Sequence, residues 1–236
     1  MPAPALLALL GAHAAGSSFD PTSVTGLVAW HDASNAGSIT ASGGTVSQWD
    51  DLSGNGHHLT QATSTYQPTT GSSTINGLNA LGFDGVDDYL RSSLTTGTTF
   101  IWFLVLNLLD ISNGYSSLMD GTGGGARGHV WKGGTTWNME NGSSVGTTAP
   151  LSTGVRLYSA LFNGASSNIE IDSVRSSDVN PGSNSMNGIT LLADRSPDSA
   201  TFVGADVGEL LLYDGAMSDA DRASVSAYLK AKWGTP

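Results

Sequence analysis

Cysteine is absent from this chain of 236 residues, so neither a disulfide framework nor a thiolate metal centre holds the fold together. Charge is scarce as well. Asp, Glu, Lys and Arg make up 12% of the residues, about half the usual share of a globular protein. Only nine are Lys or Arg against twenty Asp or Glu, which leaves a formal charge of −11. Binding to a nucleic-acid backbone or to an anionic membrane surface needs clustered cations, so both are excluded as expected partners. No apolar run approaches the ~20 residues needed to span a bilayer as a helix.

What is present is glycine, 31 residues of it, with abundant Ser, Thr and Asn. Short apolar segments alternate with turn residues, the pattern of many short antiparallel strands rather than of helices. A chain of this length can form one β-sandwich burying roughly 70% or more of its unfolded surface. Residues 1–25 are expected to be an N-terminal peptide and polar linker, and residues 26–236 a single β-domain. Leu6, Leu7, Leu9 and Leu10 form a short greasy stripe suited to docking on a partner chain or a second copy. A cleaved signal peptide is the rival, because Ala12-His13-Ala14 resembles a cleavage site, although no Lys or Arg precedes the apolar run. Folding back onto the chain's own domain is the third reading.

Strands are expected at Leu27–Trp30, Ser47–Asp50, Val130–Lys132, Trp137–Met139, Ile189–Ala193 and Glu209–Tyr213. Phe100–Leu106 is unbroken apolar sequence, rich in aromatic and β-branched residues, and reads as a strand buried on both faces. Arg156–Phe162 and Asn168–Val174 read as a hairpin across Asn163-Gly164. Asp84-Gly85 predicts a second hairpin, joining Ala80–Phe83 to a return strand through Leu90. The one helix expected is the last element. Ser218 caps it, Val225, Tyr228 and Leu229 share a face, and Gly234 stops it.

Four stretches carry a family resemblance: Gly26-Leu-Val-Ala-Trp-His-Asp-Ala-Ser, Val46-Ser-Gln-Trp-Asp-Asp-Leu-Ser-Gly-Asn-Gly-His-His, Leu81-Gly-Phe-Asp-Gly-Val-Asp-Asp-Tyr-Leu, and Gly208-Glu-Leu-Leu-Leu-Tyr-Asp-Gly running into Lys232-Trp-Gly. Together they resemble the bacterial and phage laminin-G-like, concanavalin-A-like domains. The resemblance spans roughly residues 26–234 and implies an all-β, two-sheet antiparallel jelly-roll sandwich with one C-terminal α-helix. It implies little about activity, since that fold hosts lectins, glycosidases, adhesion modules and virion parts.

Candidate sites follow from residue chemistry. Asp84, Asp87 and Asp88, with Asp50 or Asp51, offer hard oxygens for Ca²⁺, although turn-forming hydrogen bonds explain the same residues. Tyr115, Trp131 and Trp137 lie beside glycine-rich segments and offer rings for stacking on glycans. In retaining glucanases of the resembled fold a Glu-x-Asp continues to a second Glu. Here Glu170-Ile-Asp172 continues to Ser173-Val-Arg175, so the nucleophile and acid/base pair is incomplete. His57 and His58 point to opposite faces of an extended segment, which disfavours a joint metal site. His31 and Asp32 near Ser34 lack any Gly-x-Ser-x-Gly elbow. Asn141-Gly-Ser143 matches a glycosylation sequon.

The expectation drawn from all this is a non-catalytic structural and adhesive protein. In the leading version it is a phage virion accessory, decorating a capsid or tail through residues 1–16, in a homo-oligomer or larger assembly, with weak binding of host glycans. The alternative is a secreted or surface lectin-like module, with or without Ca²⁺. A glycoside hydrolase ranks third.

Overall fold

The computed structural model describes residues 19–236 except Asn113 and Ser199. The docking leucines Leu6, Leu7, Leu9 and Leu10 lie outside the described residues. Among the described residues, seventeen strands precede one α-helix. They are β1 (Leu27–Asp32), β2 (Ile39–Ser42), β3 (Thr45–Trp49), β4 (Leu59–Thr60), β5 (Thr69–Ile75) and β6 (Leu78–Asp84). Next come β7 (Leu90–Thr95), β8 (Phe100–Asp110), β9 (Ser117–Asp120), β10 (His129–Gly133), β11 (Thr136–Glu140) and β12 (Ser144–Pro150). β13 (Gly154–Phe162), β14 (Asn168–Ile171), β15 (Val174–Arg175), β16 (Asn187–Leu191) and β17 (Gly204–Asp214) complete the strands, and α1 is Asp219–Trp233.

Every strand pairing among the described residues is antiparallel. One run of neighbours is β15–β14–β13–β8–β17. The far edge of β17 is shared, its first residues pairing with β6 and its later ones with β1. The other run is β2–β3–β4–β7–β16–β9–β10–β11–β12. A single pair, Thr45 with Thr69 of β5, bridges the two, so the sheet nearly closes on itself.

The apolar run of β8 shows why three layers form. Trp102, Leu104, Leu106 and Leu108 enter the core between the two runs, among Trp49, Leu90, Val130, Met139 and Leu191. Ile101, Phe103 and Val105 point the other way, towards α1, and meet Val225, Leu229 and Trp233. Period-two alternation thus feeds two cores from one strand. Trp137 of β11 meets Tyr158 of β13 edge-on at 5.7 Å, which ties the runs face to face. The helix caps are as expected. Ser218 Oγ accepts from the Asp221 N–H at 3.1 Å, and Gly234 sits left-handed at φ 67°. Gly208 of β17 has no side chain for a specific reason: a Cβ there would lie 2.8 Å from the Trp233 ring.

Three expectations change. Asp84-Gly85 does not close a hairpin, because β6 pairs with β5 and β17 while β7 pairs with β4 and β16. The Asp-Gly turn chemistry is real, but it carries the chain across from one run to the other. The Ser/Thr-rich sequence of Tyr66–Thr74, with Pro68, predicts a loop, yet Thr69–Ile75 is strand β5, whose polar side chains suit a largely exposed strand. The expected linker is packed from its far end: Phe19 lies 5.4 Å from the Tyr228 ring, and Pro21 and Val24 are buried.

Candidate functional site

The β6–β7 crossover is built on backbone amides held by carboxylates. Asp84 Oδ1 accepts from the N–H groups of Val86 (2.7 Å) and Asp87 (3.3 Å), and Asp88 Oδ2 accepts from the Asp84 N–H at 3.0 Å. Gly85, at φ 75°, lies so close to β17 that a Cβ would come within 2.6 Å of the Gly204 nitrogen. Ligating oxygens of Asp84, Asp87 and Asp88 fall within 4.8 Å of one another. Burial pushes the Asp88 carboxyl up to about 7, and the neighbouring Asp84 and Asp87 charges add to the push.

The donor set fits Ca²⁺ poorly. That ion takes about six to eight oxygens, and one oxygen each of Asp84 and Asp88 is already committed to the turn. Asp51 serves elsewhere, accepting from the N–H groups of Trp30, Ser53 and His57 at 2.9, 2.9 and 3.0 Å. Asp50 approaches His58 at 3.3 Å.

Aromatic rings line the same crossover. Tyr89 donates its N–H to the Tyr66 carbonyl at 3.2 Å, their rings stand 6.0 Å apart, and Phe202 stacks on Tyr89 at 6.3 Å. The Arg91 guanidinium lies over the Tyr89 ring at 5.3 Å, held by Thr190 Oγ1 (3.2 Å) and the Arg195 carbonyl. Tyr66 is 39% exposed, and with Tyr89, Phe202, Asp87, Asp198 and Pro197 it lines a small cleft. On the other side of the turn a second cleft presents Gln67, Thr69, Ser73, Asp84, Asp206 and Leu109. Val86 and Leu109 are exposed apolar residues at this rim. Rings, apolar side chains, hydroxyls, an amide and five carboxylates thus surround one turn. Such a surface can stack on the apolar face of a sugar and hydrogen-bond its hydroxyls.

The expected glycan rings divide. Tyr115 and Trp131 are brought together, nearly parallel at 6.5 Å, with Tyr115 exposed and Trp131 nearly covered. Trp131 stacks in turn on His129 at 4.7 Å, above a buried network in which Arg127 binds Asp120 (2.9 and 2.5 Å), Glu140 (3.2 Å) and His129 (2.7 Å). Trp137 is 0% exposed, so the core closes its ring to a glycan. The reason is parity. Trp131 pairs with Asn138 across the β10–β11 ladder, so Trp137 falls on the opposite face.

No protein-family model matches the sequence, and no curated protein matches it by sequence. Among solved structures, domain 4 of AbnA, a GH43 extracellular arabinanase from Geobacillus stearothermophilus in complex with arabinotriose, superposes with TM-score 0.60 at 14% identity, covering 86% of this chain and 99% of that one. Trypanosoma rangeli sialidase in complex with sialic acid gives 0.59 at 14%, covering 89% of this chain but only 34% of the sialidase. An arabinofuranosidase complexed with arabinofuranosyl-alpha-1,2-xylobiose gives 0.56 at 19%, covering 80% and 51%. The likeness is one of fold.

The remaining expected residues hold structure. Glu170 is 3.3 Å from Arg222, in a groove beside α1 that also contains Asp219, Arg175 and Lys230. Asp172 pairs with Arg156 at 3.1 Å. His57 Nδ1 meets the Ser93 carbonyl at 2.9 Å, while His58 Nδ1 accepts from the Asp51 N–H at 3.1 Å, so the two rings part as expected. His31 is fully buried, and burial lowers its pKa to about 4. Asp32 accepts from both the N–H and the hydroxyl of Ser34, so that hydroxyl is engaged with Asp32 rather than with His31. Asn141 is buried, and its amide donates to the Asn184 carbonyl at 2.6 Å, so the sequon is inaccessible.

Sequence reasoning missed the Tyr66–Tyr89–Phe202 row, because its members lie far apart in the chain. It also missed Glu209. That residue is completely buried and accepts from Trp30 Nε1 (2.8 Å), the Tyr228 hydroxyl (2.9 Å), Lys232 Nζ (2.7 Å) and Trp233 Nε1 (2.7 Å). A lone Glu entering Leu-Leu-Leu-Tyr was the available signal.

Proposed function

We propose that this chain is a non-catalytic carbohydrate-binding domain of the laminin-G-like, concanavalin-A-like jelly-roll type, and that the rim of the β6–β7 crossover is its sugar site. The single observation that carries the reading is the row of Tyr66, Tyr89 and Phe202, partly open and flanked by Asp87 and Asp198. Ring faces meet the C–H surface of a pyranose or furanose, and carboxylates accept from its hydroxyls. The four solvent-facing acids of the rim, Asp84, Asp87, Asp198 and Asp206, select against sialic and other anionic sugars, so the ligand class is a neutral glycan. The fold likeness to AbnA domain 4 supports the reading without fixing the sugar.

The non-catalytic part rests on Glu170. Its nearest charged partner is a structural arginine, and no second glutamate follows it on the strand. The virion expectation drew on residues 1–16 together with the neutral surface and the resemblance. Nothing in residues 19–236 favours a capsid or tail over another support, so adhesion to glycans is the part retained.

A glycan array covering neutral and sialylated oligosaccharides tests the proposal. Binding to neutral glycans that Tyr66→Ala lowers at least about tenfold is expected. Binding confined to sialylated glycans, or unchanged in Tyr66→Ala, overturns it.

A further inference from the structure

Lys232 Nζ lies between two carboxylates brought from opposite ends of the sequence, 2.6 Å from Asp32 Oδ2 and 2.7 Å from Glu209 Oε2. Asp32 and Glu209 are partners across the β1–β17 ladder, and Lys232 comes from the last turn of α1. Asp32 is 8% exposed and Glu209 not at all. The Lys232 ammonium sits 5.5 Å from the Tyr228 ring centre and 5.2 Å from that of Trp233, and both the Trp30 and Trp233 indoles hold Glu209.

The other oxygen of Asp32 is prepared in a different way. Oδ1 accepts from the Ser34 N–H at 2.9 Å and from the Ser34 hydroxyl at 2.6 Å. Two donors on one carboxyl oxygen, with an amine nitrogen beside the other, is the arrangement that acyl transfer to nitrogen requires.

We propose that Lys232 and Asp32 condense into an intramolecular isopeptide bond, with Glu209 as the catalytic residue that moves the protons. The Lys232 Nζ–Asp32 Cγ bond forms and the Asp32 Cγ–Oδ2 bond breaks. Two protons leave the nitrogen by way of Glu209, both end on Oδ2, and Oδ2 departs as water. Ammonium plus carboxylate becomes amide plus water, so no oxidant or co-reactant enters. The Ser34 donors stabilise the charge that develops on Oδ1 in the tetrahedral intermediate.

Two physical features favour the step. Burial disfavours ionised groups, and condensation replaces an ammonium and a carboxylate by a neutral amide. The same burial raises the proton affinity of Glu209, with the nearby Asp32 charge adding to it, which suits a group that must accept and return a proton. The bond joins residues 200 apart in sequence, in a chain with no cysteine to make any other covalent tie.

Intact-mass measurement of the purified full chain, with tandem mass spectrometry of its proteolytic peptides, tests this. The expected result is a loss of one water, about 18 Da, located in a linked pair of peptides carrying Asp32 and Lys232. Glu209→Gln and Lys232→Arg should restore the full mass, and Lys232→Arg, which keeps a cation at that position, should retain the folded circular dichroism spectrum. An unmodified mass for the native chain overturns the proposal. So does a water loss confined to unlinked peptides, as a succinimide at Asp84-Gly85 would give. A linked pair that persists in Glu209→Gln overturns the role of Glu209.

Discussion

Two buried carboxyls, Glu209 beneath the helix and Asp88 at the crossover, face the same problem with different surroundings. Burial raises the pKa of both. Glu209 is met by two indole N–H groups, a hydroxyl and the Lys232 nitrogen, so each oxygen has two donors. Among the described residues, Asp88 has a single hydrogen-bond donor, the Asp84 amide, with two more carboxylates beside it. The first arrangement compensates its burial and fastens α1 to β17. The second leaves like charges crowded on an accessible turn, the pattern expected where a surface is shaped for a ligand rather than for stability.

Breaking the compensated site should have the largest effect. Glu209→Ala strands Lys232, two indoles and a hydroxyl, and should cost about 3–5 kcal/mol in denaturant unfolding. A loss under about 1 kcal/mol would mean that the helix is held by its apolar face alone.

Relieving the uncompensated site should act in the opposite direction. The folded Asp88 pKa of about 7 lies above its ordinary value of 3.8, so the folded state binds the extra proton between those limits. Stability from this group is therefore full below about pH 4, falls as pH rises towards 7, and stays low beyond. Asp88→Asn keeps an acceptor for the Asp84 amide and should stabilise the protein by about 1–2 kcal/mol at pH 8, with little change at pH 4. Thermal melts of both proteins across that range check the sign. His31 slopes the other way, since its lowered pKa removes stability as pH falls from about 6.5 to 4.

The smallest expected effect sharpens the comparison. Adding millimolar Ca²⁺ at neutral pH should move the melting temperature by less than about 1 °C, because the turn already occupies oxygens of Asp84 and Asp88. A rise of several degrees, lost in Asp87→Asn, would make the crossover a metal site.

The fold was legible where one residue's neighbours in sequence decide its role. Phe100–Leu106 needed two apolar faces and has them, and Ser218 and Gly234 bracket the helix through local caps. Asp84-Gly85 shows the limit: the same turn hydrogen bonds serve strands that pair and strands that part, so pairing had to come from elsewhere in the chain. Trp131 and Trp137 illustrate another, because their faces depend on where the β10–β11 turn falls. The aromatic row and the Glu209 network join residues from three or four separate segments, and no local pattern announces them.

The length of β17 sets two features of the domain far apart. Its Asp214 end receives the incoming chain, the Asp214 N–H bonding the Gly26 carbonyl at 2.7 Å, and its Gly204 end pairs with Asp84 at the crossover. Eleven residues of strand, about 35 Å, therefore separate the Gly26 contact from the acidic, ring-lined tip. A label at the Gly26 end and a ligand at the tip would therefore sit about 35 Å apart.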